Sequence, residues 1–264
     1  MSVNAYLIQC ITNLHVGSGD ANYGIVDKLV QRDTVFNYPT IHSSSLKGAL
    51  REHYEKIWEN DIGKINDVFG KKTANDSDAE SGNCNFLNAD LMALPVRCSH
   101  KQFALTFCPQ SIEAINTKAQ MLVNKNLLKT PTAFDKLFTN DNINSIYLED
   151  DNIQKAIHTK ILLEKVEMAG FTALDKQYAI VSNDKFDNYT DNLPVIARNR
   201  LGENKNLWYE EVVPHQSLFI TYIISNSENY SEFKKELLKN IFQIGANSSV
   251  GYGLCKFHKI NFTS

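Results

Sequence analysis

SLFITYIISNSENYSEFKKELLKNIFQIGANSSVGYGLCKFHKINF, residues 217–262, contains the elements from which the fold is read. SLFITYIIS at 217–225 is a short apolar run, rich in β-branched and aromatic residues and followed by polar turn-formers, so it reads as a buried strand. SEFKKELLKNIF at 231–242 puts Phe233, Leu237, Ile241 and Phe242 on one helical face, with Ser231 as the expected N-cap. GLCKFHKINF at 253–262 returns as a strand. Working outward, NAYLIQCIT at 4–12 alternates as a first strand. Ser44 to Trp58 then brings Leu46, Ala49, Leu50 and Ile57 to one face of a helix that opens on a serine run. The two ends combine into β-α-…-β-α-β, an α+β fold with a ferredoxin-like sheet carrying its helices on one face, and the middle of the chain is inserted into it.

In that middle, ADLMALPVRC (89–98) and KQFALTFC (101–108) read as strands, and QSIEAINTKAQML (110–122) as a helix with Ile112, Ile115, Ala119 and Leu122 inward. GKKTANDSDAESGNCNFLN (70–88) is nearly devoid of aliphatic residues and reads as a mobile surface insertion. Residues 126–160 show only weak periodicity and receive no assignment. KILLEKVEM (160–168) and KQYAIVS (176–182) are strand candidates. VIARNRL and LWYEEVV flank a Gly202–Asn204 turn and are expected to form a projecting hairpin.

A chain of 264 residues can bury a sizeable core. Its longest uncharged apolar run is far too short to cross a bilayer, and the start MSVNAYLIQC lacks the features of a secretory signal, so a cytoplasmic protein without membrane association is expected. Five scattered cysteines without a C-x-x-C pair are read as reduced, buried thiols, with zinc held by Cys84, Cys98 and His100 as the alternative. The net charge of −3 gives no electrostatic argument for a nucleic-acid partner.

The chemistry lies in three loops. LHVGSGDANYGIVDKLVQRD (14–33) follows the first strand with three glycines, His15 and the carboxylate Asp27 set between Val26 and Lys28. IHSSSLKGALRE (41–52) puts Ser44, Ser45 and Lys47 at a helix start, where free N–H groups and the helix dipole favour a phosphate, with Arg51 beside them. A serine-capped helix with a solvated lysine is the plainer reading. IGANSSVGYG (244–253) supplies glycines that permit close backbone approach to an anion, although it matches no nucleotide-cofactor motif and an ordinary turn accounts for it equally.

In sequence order, LHVGSG, GIVDKLVQRD, PTIHSSSLKGALRE, NADLMALPVR, LWYEEVVP and IGANSSVGYG resemble the RAMP-superfamily backbone subunits of the type III-B CRISPR effector, the Cmr complex. The resemblance runs from about Leu14 to Gly253 and implies a hand-like molecule. Its RNA-recognition-type palm would use about 1–60, 89–125 and 214–264, with helical insertion and β-hairpin thumb material in about 61–88 and 126–213. Copies would stack along a CRISPR guide RNA with other Cmr subunits, and would cleave a complementary single-stranded target RNA. The resemblance makes Asp27 the cleaving residue, places His15 and Glu210 near the cut, and assigns RNA contact to His15, Ser44, Ser45, Lys47, Arg51, Gly245, Asn247, Ser248 and Tyr252. It also implies a divalent metal ion, Mg²⁺ or Mn²⁺, with Asp27 as candidate ligand, and attack by the neighbouring ribose 2′-hydroxyl. Two departures stand out. His42 and Ser43 replace a usual Pro and Gly, and Tyr252 replaces the lysine of a usual G-K-G, removing a cation from the glycine loop. A non-catalytic guide-binding subunit, a metal-free guide-processing endonuclease using His15, and an enzyme for a phosphorylated metabolite remain as alternatives.

Overall fold

A computed structural model describes residues 1–19, 24–59, 61–72, 80–157, 166–168, 177–200 and 206–262. The fold is mixed α and β, with five α-helices and a thirteen-stranded mixed sheet among these residues. Its centre is β1 (Ser2–Cys10), flanked antiparallel by β13 (Leu218–Ser225) and β15 (Leu254–Phe262), with β4 (Ala89–Arg97) antiparallel on the far side of β13. The spatial order β15-β1-β13-β4 thus brings the two chain ends together and puts the middle of the chain outside them.

The alternation of β1 divides the core. Tyr6, Ile8 and Cys10 join the cluster holding Leu46, Leu50 and Tyr54 of α1 (Ser43–Ile57) and Phe233 and Leu237 of α5 (Tyr230–Lys239). Ala5 and Leu7 point the other way, into the cluster holding Ile112, Ile115 and Ala119 of α3 (Pro109–Val123). The two helices of the skeleton, α1 and α5, thus share one face of the sheet, and α3, from the inserted middle of the chain, covers the other. Burying a central strand on both sides contributes about 1.5–3 kcal/mol per large apolar side chain.

The sheet extends through the strand expected at KQYAIVS and through residues without sequence assignment. Beyond β5 (Phe103–Phe107) come β10 (Gln177–Ile180), parallel to it, then β6 (Lys136–Thr139), β8 (Asp151–Ile157) and β7 (Ser145–Leu148). Two helices also escaped the reading, α2 (Ile62–Phe69) and α4 (Asn183–Asp191). Within the polar stretch at 70–88, Cys84–Phe86 forms β3 against β13, which corrects its reading as wholly mobile surface; 73–79 lie outside the described residues. The last helix ends at Lys239 with Asn229 as its N-cap, and Ile241–Gln243 is the short edge strand β14, because Asn240 turns extended and Phe242 pairs with Cys255. Of KILLEKVEM, 166–168 form the strand β9 against β15 and the rest lies outside the described residues.

Val195–Arg200 and Asn206–Glu211 pair as the two-stranded ribbon β11–β12, whose connecting 201–205 also lie outside the described residues. All five cysteines are free. Cys84 meets the Ser225 hydroxyl while His100 pairs with Asp141, so the zinc alternative has no shared centre. No helix among the described residues is long and apolar enough to cross a membrane.

Candidate nucleic-acid interface

The segment after β1 is a folded ribbon. Ser18 N–H donates to the Leu29 carbonyl at 3.0 Å and Gln31 N–H to the Val16 carbonyl at 2.8 Å, so the strand exit and the return path zip together. At its outer end the ribbon lies against β12: Asp27 and Lys28 N–H both donate to the Tyr209 carbonyl at 3.1 Å, and Glu211 N–H donates to the Lys28 carbonyl at 2.9 Å. The Asp27 side chain joins this contact, its Oδ2 accepting from Tyr209 N–H at 2.7 Å. The residue is exposed and its Oδ1 has no hydrogen-bond partner among the described residues. A carboxylate oriented through one oxygen and open at the other suits a bound hydroxyl or a hydrated cation.

Behind Asp27 lies a dense polar node. Glu210 is 1% exposed, and four donors converge on it: Lys28 Nζ at 2.8 Å and Trp208 Nε1 at 2.7 Å on Oε1, Asn247 Nδ2 at 2.7 Å and Arg198 Nε at 3.2 Å on Oε2. Burial opposes ionisation, but the Lys28 ammonium, Trp208 indole and Asn247 amide outweigh it and hold the carboxyl down at about 2. With both oxygens engaged inward, Glu210 orients its neighbours. It joins the Asp27 ribbon, the β11–β12 hairpin and the last glycine loop in one hydrogen-bonded unit. Its neighbour Glu211 does parallel work, accepting from Arg32 Nη2 at 2.6 Å and Val30 N–H at 3.0 Å.

His15, expected to contact RNA, is 2% exposed, so its side chain is buried rather than presented at the surface. Its Nδ1 lies 2.7 Å from the Glu211 carbonyl, which can only accept, so Nδ1 carries the proton and Nε2 is left facing Gly17. Its carbonyl accepts from Ala246 N–H at 2.8 Å, and the Asn13 carbonyl accepts from Gly253 N–H at 2.8 Å. The two glycine-rich turns are therefore in contact. In the second, Asn247 has φ +63° and Ser248 is exposed at the head of a short 3₁₀ turn.

At the start of α1 the serine run does not cap. The N-cap is His42, without a side-chain bond; Gln31 instead accepts from His42 N–H at 2.9 Å and donates to Ser45 Oγ at 3.0 Å, tying ribbon to helix. Ser44 remains exposed, and Lys47 makes no ion pair among the described residues. Arg51 leaves this group: its guanidinium donates to Glu55 at 3.0 Å and to the Gly70 carbonyl at 2.7 Å, locking α1 to the end of α2. Sequence reasoning missed Lys28, Gln31 and Arg198. Lys28 and Gln31 lie within GIVDKLVQRD, but the resemblance gave them no role, and Arg198 is found only through the hairpin register that sets it opposite Trp208.

No group of three or more His, Cys, Asp or Glu side chains converges as a metal site among the described residues, so Asp27 stands alone as a candidate ligand. A single carboxylate fits a divalent ion only when bound RNA and water complete the coordination.

The profile of the RAMP superfamily matches residues 7–256. The chain belongs to the RAMP superfamily. This RAMP chain is similar to the CRISPR system Cmr endoribonuclease Cmr4 of Pyrococcus furiosus, at 28% identity over 96% of this chain and 95% of that protein. It is also similar to the CRISPR system CMR subunit Cmr4 of Saccharolobus solfataricus, at 26% identity over 98% and 97%. Among solved structures, the type III-B Cmr-beta complex bound to cognate target RNA contains a chain superposing with a TM-score of 0.76 at 22% identity, covering 98% of this chain and 97% of that one. The oligomeric Cmr4 of Pyrococcus furiosus superposes with a TM-score of 0.70 at 18% identity, with full coverage of both chains.

Proposed function

We propose that this RAMP chain is a guide-RNA-binding backbone subunit of a type III-B CRISPR effector and cleaves complementary target RNA within it. The observation that carries the reading is the placement of Asp27: exposed, fixed by Tyr209 N–H, and joined through the Glu210 node to the hairpin and to two touching glycine turns. The names of the relatives support the reaction, and those of the solved complexes support target RNA, further copies of the chain and other Cmr subunits as partners. The strand order β15-β1-β13-β4, with α1 and α5 as crossovers, supports a ferredoxin-like, RRM-like palm from about 1–60, 89–125 and 214–264. In that reading β11–β12 is the thumb and the rest of 61–88 and 126–213 is inserted. The work is cytoplasmic.

In the proposed mechanism the open oxygen of Asp27 orients the ribose 2′-hydroxyl and takes up its proton as that oxygen bonds to the adjacent phosphorus. The bond to the 5′-oxygen breaks, leaving a 2′,3′-cyclic phosphate and, after protonation, a 5′-hydroxyl. Lys28, beside Asp27, offsets charge building on the phosphate. A divalent ion, Mg²⁺ or Mn²⁺, held by Asp27 would supply further electrostatic stabilisation when bound. Glu210 and His15 act as positioning residues. The burial of His15 disfavours a guide-processing nuclease that would use it against RNA directly.

The test is Asp27→Asn in the assembled complex, with labelled target RNA. Cleavage should fall at least about a hundredfold while target binding persists. Undiminished cutting would remove Asp27 from the reaction, and a wild-type assembly that binds target in Mg²⁺ or Mn²⁺ without cutting it would make the subunit structural.

A further inference from the structure

Arg198 has more hydrogen-bonding capacity than the protein uses. It lies on β11 opposite Trp208, on the same ribbon face as Glu210, and its side chain's only hydrogen bond among the described residues runs from Nε to Glu210 Oε2. The guanidinium centre sits 4.4 Å from the Tyr252 ring centroid, so the last glycine loop supplies a platform for it. Nη2 is shielded from water and has no hydrogen-bond partner among the described residues. A shielded donor without an acceptor is destabilising, and a protein retains one where a ligand completes the bond.

Charge and shape specify that ligand. Lys28 and Arg198 share the single carboxylate of Glu210, leaving one positive charge in excess at the node. Asn247, tied to the same carboxylate, brings the exposed Ser248 and Ser249 of the glycine loop alongside. A planar guanidinium with both terminal nitrogens uncommitted matches the two non-bridging oxygens of a phosphodiester. We propose that Arg198, laid on Tyr252, grips one backbone phosphate of bound RNA where the strand passes between the hairpin and the glycine loop. This rests on the RNA-binding reading above and adds a site to it. The phosphate-binding pair comes from two segments that meet only in the folded chain, with the cation on the hairpin and its platform on the loop.

The experiment measures binding of a short labelled single-stranded RNA to the purified full chain across a potassium chloride series. Arg198→Gln should weaken binding about tenfold at low salt, the loss of a charge-assisted hydrogen bond. It should also flatten the dependence of log K on log salt by about 0.7, one phosphate contact to a single strand. Adding Tyr252→Lys to Arg198→Gln returns a cation to the same place and should restore the slope, which a purely structural role for Arg198 would not do. Arg198→Lys, which keeps a charge for Glu210 but loses the fork, should retain the slope and bind more weakly. It decides the matter if Arg198→Gln fails to fold. Wild-type affinity and slope in Arg198→Gln, or wild-type affinity in Arg198→Lys, would overturn the proposal while leaving RNA binding intact. A wild-type chain showing no RNA affinity would instead overturn the reading beneath it.

Discussion

Gly245 has φ +84°, and a Cβ built there would overlap the His15 carbonyl oxygen, the acceptor that holds Ala246. Gly245→Ala must therefore strain the backbone and push apart the two glycine turns, a cost of about 1–3 kcal/mol. Thermal denaturation should show the lower Tm, and Gly19→Ala is the useful contrast: φ is +88° there but nothing lies within 4 Å, so only the conformational cost remains. The sequence displayed these glycines, yet it could not rank them. Gly245 is required by a contact with a residue 230 positions away, and His15, to which the resemblance assigned RNA contact, faces inward because its Nδ1 finds the Glu211 carbonyl.

Elements are joined here by carboxylates. Glu210 ties the β11–β12 ribbon to the Asp27 segment and the glycine loop, and replacing it by Gln leaves Lys28 and Arg198 without their counter-charge. The expected loss is about 2 kcal/mol, below that of a fully buried pair because Lys28 is half exposed. Folding depresses this carboxyl from 4.5 to about 2, so its stabilisation is complete above pH 4.5 and drains away as pH falls toward 2. The stability gap between wild type and Glu210→Gln, measured by denaturant unfolding, should narrow over that interval. Asp67 does similar work between α2 and the turn after β13. It accepts from Ser227 Oγ at 2.6 Å, Asn229 Nδ2 at 2.7 Å and Asn83 Nδ2 at 2.6 Å, bonds that overcome the effect of burial and hold its carboxyl at about 2. Asp67→Ala should lower Tm by freeing that corner, with little effect on RNA affinity because the corner lies apart from the glycine turns.

Across the whole molecule, β1 is the member on which both cores depend. Leu7 is fully buried in the cluster under α3, while its neighbours Tyr6 and Ile8 serve the opposite cluster under α1 and α5. Leu7→Ala should cost about 2–5 kcal/mol through lost burial and the cavity left behind. Because the strand is common to both clusters, far-ultraviolet circular dichroism and tryptophan fluorescence should report one coincident, shifted transition. Independent transitions would show that the α3 side unfolds separately.

The sequence by itself determined the strands and helices at the two ends of the chain, the central strands with α3, and the existence of a hairpin at LWYEE. Their apolar periodicity is strong, and local pattern is enough to select local structure. It also brought forward Asp27, through a resemblance carried by ordered motifs. Only the tertiary structure decided that α3 closes the second face, that 126–157 add three strands, and that Arg51 locks two helices while Arg198 faces Tyr252. Those outcomes depend on registers and on hydrogen bonds between residues far apart in the chain, such as Glu210 with Lys28 and Asn247. A polar side chain takes its role from whichever partner the fold brings within about 3 Å, and no spacing along the chain encodes that distance.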